Sequence, residues 1–161
     1  MREEDCISLL RRAGCSEGVI AHCRAVRDLA LAYASDPLVN RDLVETGALL
    51  HDIGRGVTHD LRHAGAGGEI CRSFGLDEEV AAIVERHIGA GLTADESSLL
   101  GLVPRDCMPR TLEEKIVAHA DNLVKGTRVI ALEERLQHAI ALPRRQRERI
   151  RRLAQEMELF R

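Results

Sequence analysis

The stretch ALLHDIGRG, Ala48 to Gly56, decides how the rest of the chain is read. Ala48, Leu49 and Leu50 read as the end of a buried helix. The imidazole of His51 and the carboxylate of Asp52 follow, both costly to bury. Gly54 and Gly56 then break the helix. Upstream, Asn40 is a natural cap for this third helix, RDLVETGALLHD. A first helix covers about Glu3 to Ala13 and stops at Gly14. A second starts near Ser16 and carries Val19, Cys23, Val26, Leu29, Ala30 and Tyr33 on one stripe, ending at Ser35–Pro37. Downstream, GRGVTHDLR is a loop, and a fourth helix runs from His63 to Phe74. Asp77 caps a fifth, with Val80, Ile83, Val84, His87 and Ile88 on its inner face. A short segment, TADESSLLG, leads to the loop VPRDCMPR. Thr111 and Glu114 form a capping box for LEEKIVAHADNLVKG. A helix from about Arg128 to Leu142 meets Pro143, and an Arg-rich helix closes the chain at about 143–161 with Ile150, Leu153, Met157 and Phe160 as its seam. No strand pattern or repeat is evident. The expectation is one all-α domain over residues 1–161.

Composition agrees. The chain has 161 residues, of which 45% are apolar and only 2% aromatic, so its core is built of small aliphatic side chains in helices. The net charge of -3 argues against non-specific nucleic-acid binding by the chain as a whole. Five scattered cysteines, none in a CxxC pair, predict free thiols in a reducing compartment. The acidic start MREED does not resemble a secretory signal, and no apolar run is long enough to span a bilayer. A cytoplasmic protein without membrane contact is expected.

Several polar residues fall on apolar faces. His22 lies between Val19 and Val26 at helical spacing, and His87 shares a stripe with Val80, Ile83 and Val84. Asp121 is flanked by Val117 and Val124, and His51 and Asp52 follow Leu50. Each alone has a plain reading, an inward histidine with one hydrogen bond or an aspartate capping a helix. Together they place imidazoles and carboxylates from separate helices inside the fold. A divalent metal resolves the cost of that burial.

The set His22, His51-Asp52, Asp121 resembles the H…HD…D signature of the HD superfamily of metal-dependent phosphohydrolases. HDIG is spelled in full at His51–Gly54, and the likeness within the superfamily is to small archaeal-type HDIG-domain proteins. The resemblance spans about Ser16 to Arg128. It implies an all-helical HD bundle with His22, His51, Asp52 and Asp121 as ligands of one metal. His63 and His87 match the places where some branches hold a second metal or contact phosphate. His59 and Asp60 read as solvated. On this reading the glycines after the motif leave room for a metal and a phosphate.

The implied chemistry is hydrolysis of a phosphomonoester or phosphodiester, of nucleotide type. A divalent ion (Mn, Fe, Co, Ni or Mg, one or two per chain) lowers the pKa of bound water and neutralises phosphoryl charge. With two ions, Asp52 bridges, and His63 and His87 complete the second site. With one, His63 or His87 donates a proton to the leaving oxygen or holds the phosphate. Arg55 is either a phosphate ligand or a surface arginine. Lys125 and Arg128 are candidates to line the mouth, Lys115 reads as surface, and His119 and His138 read as structural or exposed. Two alternatives stay open. One is a non-catalytic module that binds metal or nucleotide. The other is an RNA-associated module using the basic start of the last helix. Substrate identity and oligomeric state are not encoded in any motif.

Overall fold

The computed structural model describes residues 1–161. In chain order the helices are α1 (Glu3–Arg12), α2 (Glu17–Leu31), α3 (Arg41–Leu50), α4 (His63–Ser73), α5 (Glu78–Glu85), α6 (Ala94–Leu99), α7 (Leu112–Asn122), α8 (Leu132–His138) and α9 (Arg144–Met157). The only ladder joins β1 (Val124–Lys125) to β2 (Arg128–Val129), antiparallel. The fold is all-α apart from this hairpin.

Two apolar clusters form the interior. One gathers Val26, Tyr33, Val44, Ile116, Ile150 and Met157 from α2, α3, α7 and α9 and the residues that follow α2. The other gathers Leu10, Ile20, Leu49, Ile53, Cys71 and Val84 around α1 to α5. Each fully buried aliphatic side chain contributes about 1.5–3 kcal/mol of hydrophobic stabilisation. Helix α3 divides the clusters: Val44 and Ala48 join the first, Leu49 and Leu50 the second. His51 and Asp52 therefore emerge where α3 ends between two packed layers. The seam expected on α9 holds, since Ile150, Leu153 and Met157 are buried.

Caps define the helix starts. Ser16, Asn40 and Thr111 accept from the backbone N–H groups of Val19, Leu43 and Glu114. The expected box at Thr111 is only half formed. The Glu114 carboxylate turns instead to Arg86 Nη1 at 2.8 Å and to the Arg110 amide at 2.7 Å, where it meets a full charge. A complete box occurs at Thr93 and Glu96 on α6. Asp77 occupies the cap position of α5 without a side-chain bond.

The sequence departs from the structure most after Asp121. The helix expected through Gly126 ends at Asn122, and the one expected from Arg128 starts at Leu132. Between them lies the hairpin, turned by Gly126 at φ +63°. Two-residue strands are too short to show alternation. The GRG loop is also different: Ile53–Gly56 form a turn of 3-10 helix. Helix α5 ends at Glu85, so His87 sits just beyond the inner stripe assigned to it. All five cysteines are free. No helix is long and apolar enough to cross a membrane.

Candidate metal centre

Five elements converge on one point. His22 comes from the middle of α2, His51 and Asp52 from the end of α3, and His63 from the first residue of α4. His87 follows α5, and Asp121 belongs to the last turn of α7. The glycines of the motif permit this convergence by close packing. A Cβ on Gly54 would lie 1.8 Å from the carbonyl oxygen of His63, and one on Gly56 2.0 Å from that of Ala13. Their space is filled by neighbouring backbone, which corrects the expectation that it is left for a metal and a phosphate. Gly54 instead lets the first turn of α4, with His63, press against the HD pair.

The four imidazoles are oriented in one way. Nδ1 of His22, His51, His63 and His87 lies 2.6–2.7 Å from the carbonyl oxygens of Gly126, Ala48, Asp60 and Val84. A carbonyl only accepts, so each Nδ1 carries the proton and each neutral ring presents a lone pair at Nε2. All four Nε2 atoms face the carboxylates. Asp121 Oδ1 lies 3.0 Å from Nε2 of His22 and 3.3 Å from that of His51. Asp52 Oδ1 lies 3.2 Å from His63 and 3.3 Å from His87, while Oδ2 lies 3.6 Å from His51 and 3.8 Å from His22.

Facing lone pairs repel unless a cation or a proton stands between them. Nε2 of His51 is fully buried with no hydrogen-bond partner. Nε2 of His63 and of His87 are 3.1 Å apart. Mixed nitrogen and oxygen donors fit a divalent cation, and two groups lie close enough to hold one: His22, His51 and Asp121, and His51, Asp52 and His87. The backbone carbonyls behind the rings fix the tautomers, as outer partners of metal-bound histidines do.

The electrostatics show the same demand. Burial disfavours a charge on His51, yet the Asp52 and Asp121 carboxylates hold its pKa well above the ordinary value. Burial likewise opposes charging His22, and Asp121 outweighs it, so that pKa is raised. Burial would raise the carboxyls of Asp52 and Asp121, but the imidazoles, His51 foremost, hold both well below the usual range.

The centre opens into a cleft of about 500 Å³. Arg55 and Lys125 line it, but Arg128 does not. Arg128 is exposed and pairs with Glu134 at 3.3 Å, because the hairpin turns it away. Arg55 is tied down, with Nε 3.0 Å from Asp52 Oδ2 and Nη1 donating to the His59 carbonyl at 3.0 Å. Lys115 pairs with Glu156 at 2.8 Å, away from the cleft. His59 and Asp60 are exposed, and Asp60 pairs with Arg62. Asn122, Arg135 and His138 also line the cleft. No sequence pattern marked them: in LEERLQH, Arg135 and His138 look like any polar residues on a surface helix. Beyond Leu61 and Ile88, which it shares with the cleft, runs a second groove of about 480 Å³, floored by Ala64, Gly65 and Ala66 of α4.

The family model for the HD domain matches residues 19–126, and this span contains every residue of the centre. The chain belongs to the HD domain family. This HD domain is 50% identical over 139 residues to an uncharacterised protein of Methanocaldococcus jannaschii, covering 83% of this chain and 82% of that protein. It is 45% identical over 132 residues to a tRNA (cytidine(56)-2'-O)-methyltransferase of Thermoplasma volcanium, covering 82% of this chain but only 39% of the methyltransferase. Among solved structures, the HD domain of the L. monocytogenes phosphodiesterase PgpH in complex with cyclic-di-AMP superposes with a TM-score of 0.59 at 18% identity. That match covers 95% of this chain and 97% of the other, and it supports the fold.

Proposed function

We propose that this HD domain is a metal-dependent phosphohydrolase acting on a phosphate ester of nucleotide type, with residues 1–161 as one functional unit. One observation carries the reading: four imidazoles, each pinned through Nδ1 to a backbone carbonyl, turn Nε2 towards two shared carboxylates. That arrangement is costly unless a cation completes it. His22, His51, Asp52 and Asp121 would hold one divalent ion, and Asp52, His63 and His87 a second. The donors include no thiolate, which favours Mn, Fe, Co, Ni or Mg over structural zinc.

When bound, such an ion polarises a phosphoryl oxygen and acidifies coordinated water. The chain's own residues supply the rest. Asp52 orients both halves of the centre and anchors Arg55. The Nη2 group of Arg55 holds an oxygen of the reacting phosphate, and the ammonium of Lys125 holds a phosphate oxygen at the mouth of the cleft. With a single ion, His63 or His87, once protonated at Nε2 as well as at Nδ1, donates the Nε2 proton to the leaving oxygen or holds the phosphate. Burial of these two rings keeps bulk water from competing for that proton.

The test is turnover of bis(p-nitrophenyl) phosphate and a nucleotide panel with Mn or Co, lost on chelation and in Asp52→Ala. Bound metal with no turnover across the panel would replace the enzyme by a binding module. A second reading, an RNA-associated domain, draws on the tRNA methyltransferases among the relatives and on the exposed Arg144, Arg145 and Arg152 of α9. A salt-dependent shift of labelled tRNA, lost when these three are neutralised, would favour it.

A further inference from the structure

Seven arginines of the chain are half-buried. Arg27, Arg55, Arg72, Arg86 and Arg149 each lie within 4 Å of a carboxylate. Arg135 and Arg147 have no such partner, and of these two only Arg135 lines the metal cleft. A half-buried guanidinium without an anion is costly to desolvate. Arg135 is nevertheless held in place. Its Nε donates to Asn122 Oδ1 at 3.2 Å, and Asn122 Nδ2 donates to the Gly89 carbonyl at 3.0 Å. This relay ties it to the segment just after His87 and commits neither terminal nitrogen. Lys125 and His138 line the same cleft, exposed and without an ion pair. Glu134, the nearest acid in sequence, is turned towards Arg128. Burial draws the pKa of Arg135 below the ordinary value, with Asp121 opposing.

We infer that Arg135, with Lys125 and His138, forms an anion subsite beside the centre that takes a second phosphoryl group of the substrate. The inference rests on the proposed phosphohydrolase reading and narrows it. Arg55 touches the shared carboxylate of the centre, whereas Arg135 lies beyond ion-pair distance of either aspartate. A planar fork already oriented through Nε binds a phosphate bidentately with little ordering cost. The substrate therefore carries at least two phosphoryl groups. Two sources share this chemistry: the next phosphate of a dinucleotide or oligonucleotide, and the anhydride-linked phosphate of a nucleoside polyphosphate.

The test compares ligands that differ by one phosphate, on manganese-loaded protein. Isothermal titration with AMP and with α,β-methylene-ADP, which resists hydrolysis, reads the anhydride source. The ratio of kcat/KM for pApA over ApA reads the diester source. One pair should show a preference for the extra phosphate of about ten- to hundredfold. Arg135→Gln should collapse that preference, and Arg135→Lys should keep part of it. Lys125→Gln, on an exposed strand, should lower it by about threefold and carries the test if Arg135→Gln does not fold. No preference in either pair, or one unchanged in Arg135→Gln and Lys125→Gln, overturns the subsite. A preference in titration without turnover of bis(p-nitrophenyl) phosphate or of any nucleotide in the panel keeps the subsite and overturns the hydrolase reading.

Discussion

His51 and His119 are almost equally buried, 0% and 1% exposed, and each leaves Nε2 without a hydrogen-bond partner. Their electrostatics are opposite. His119, packed edge-on against Tyr33 at 4.9 Å, is pushed by burial down to about 4. His51 is held well above its ordinary value because Asp52 and Asp121 outweigh the same burial. Burial of an imidazole therefore does not make a metal site. Carboxylates placed on the same point give a cluster able to hold a cation, and two residues along α7 separate one environment from the other.

The largest test of this contrast is Asp52→Asn, which removes the charge shared by both halves of the centre. Metal analysis should show more than about a hundredfold loss of affinity. Unchanged metal content would erase the distinction between the two histidines. Next comes the pair itself. His51→Ala should lower metal affinity about 10- to 100-fold. His119→Ala should leave metal content intact while costing about 1–3 kcal/mol of stability, measured by denaturant unfolding.

The pH dependence of the metal-free protein should carry opposite signs at the two sites. The raised pKa of His51 means that its contribution is complete below the unfolded value of about 6.5 and is lost as pH rises through the folded value. For His119 the unfolded chain takes a proton between about 6.5 and 4 that the folded one refuses, so stability falls with acid. Replacing His119 with Gln should remove about 2 kcal/mol of that acid loss between neutral pH and pH 4.5. Replacing His51 with Gln should remove stability that is greatest on the acid side. Equal slopes in the two variants would refute the contrast. The smallest effect belongs to Arg128→Ala. Its partner Glu134 lies outside the cleft wall, so steady-state kinetics should change by less than about twofold.

Much of the fold was legible. Apolar periodicity and caps such as Asn40 and Ser16 located most helices, because each helix must bury one face and satisfy its first amides locally. The set His22, His51, Asp52 and Asp121 was legible as a pattern of donor types on inward faces, and the fold brings those residues together with His63 and His87. The hairpin after Asn122 was not, and with it went Arg128, assigned to the mouth but facing away. Arg135 and His138 gave no sign either, because a polar residue on a short helix is coded alike whether it meets solvent or a cleft.

The sequence by itself determined which residues turn inward and which of them can donate to a cation, since both follow from helical period and side-chain chemistry. Only the tertiary structure decided which inward histidines share a point with carboxylates, what fills the space beside Gly54, and which arginines are left without an anion. Those are distances between segments far apart in the chain, set by how helices pack rather than by any local propensity.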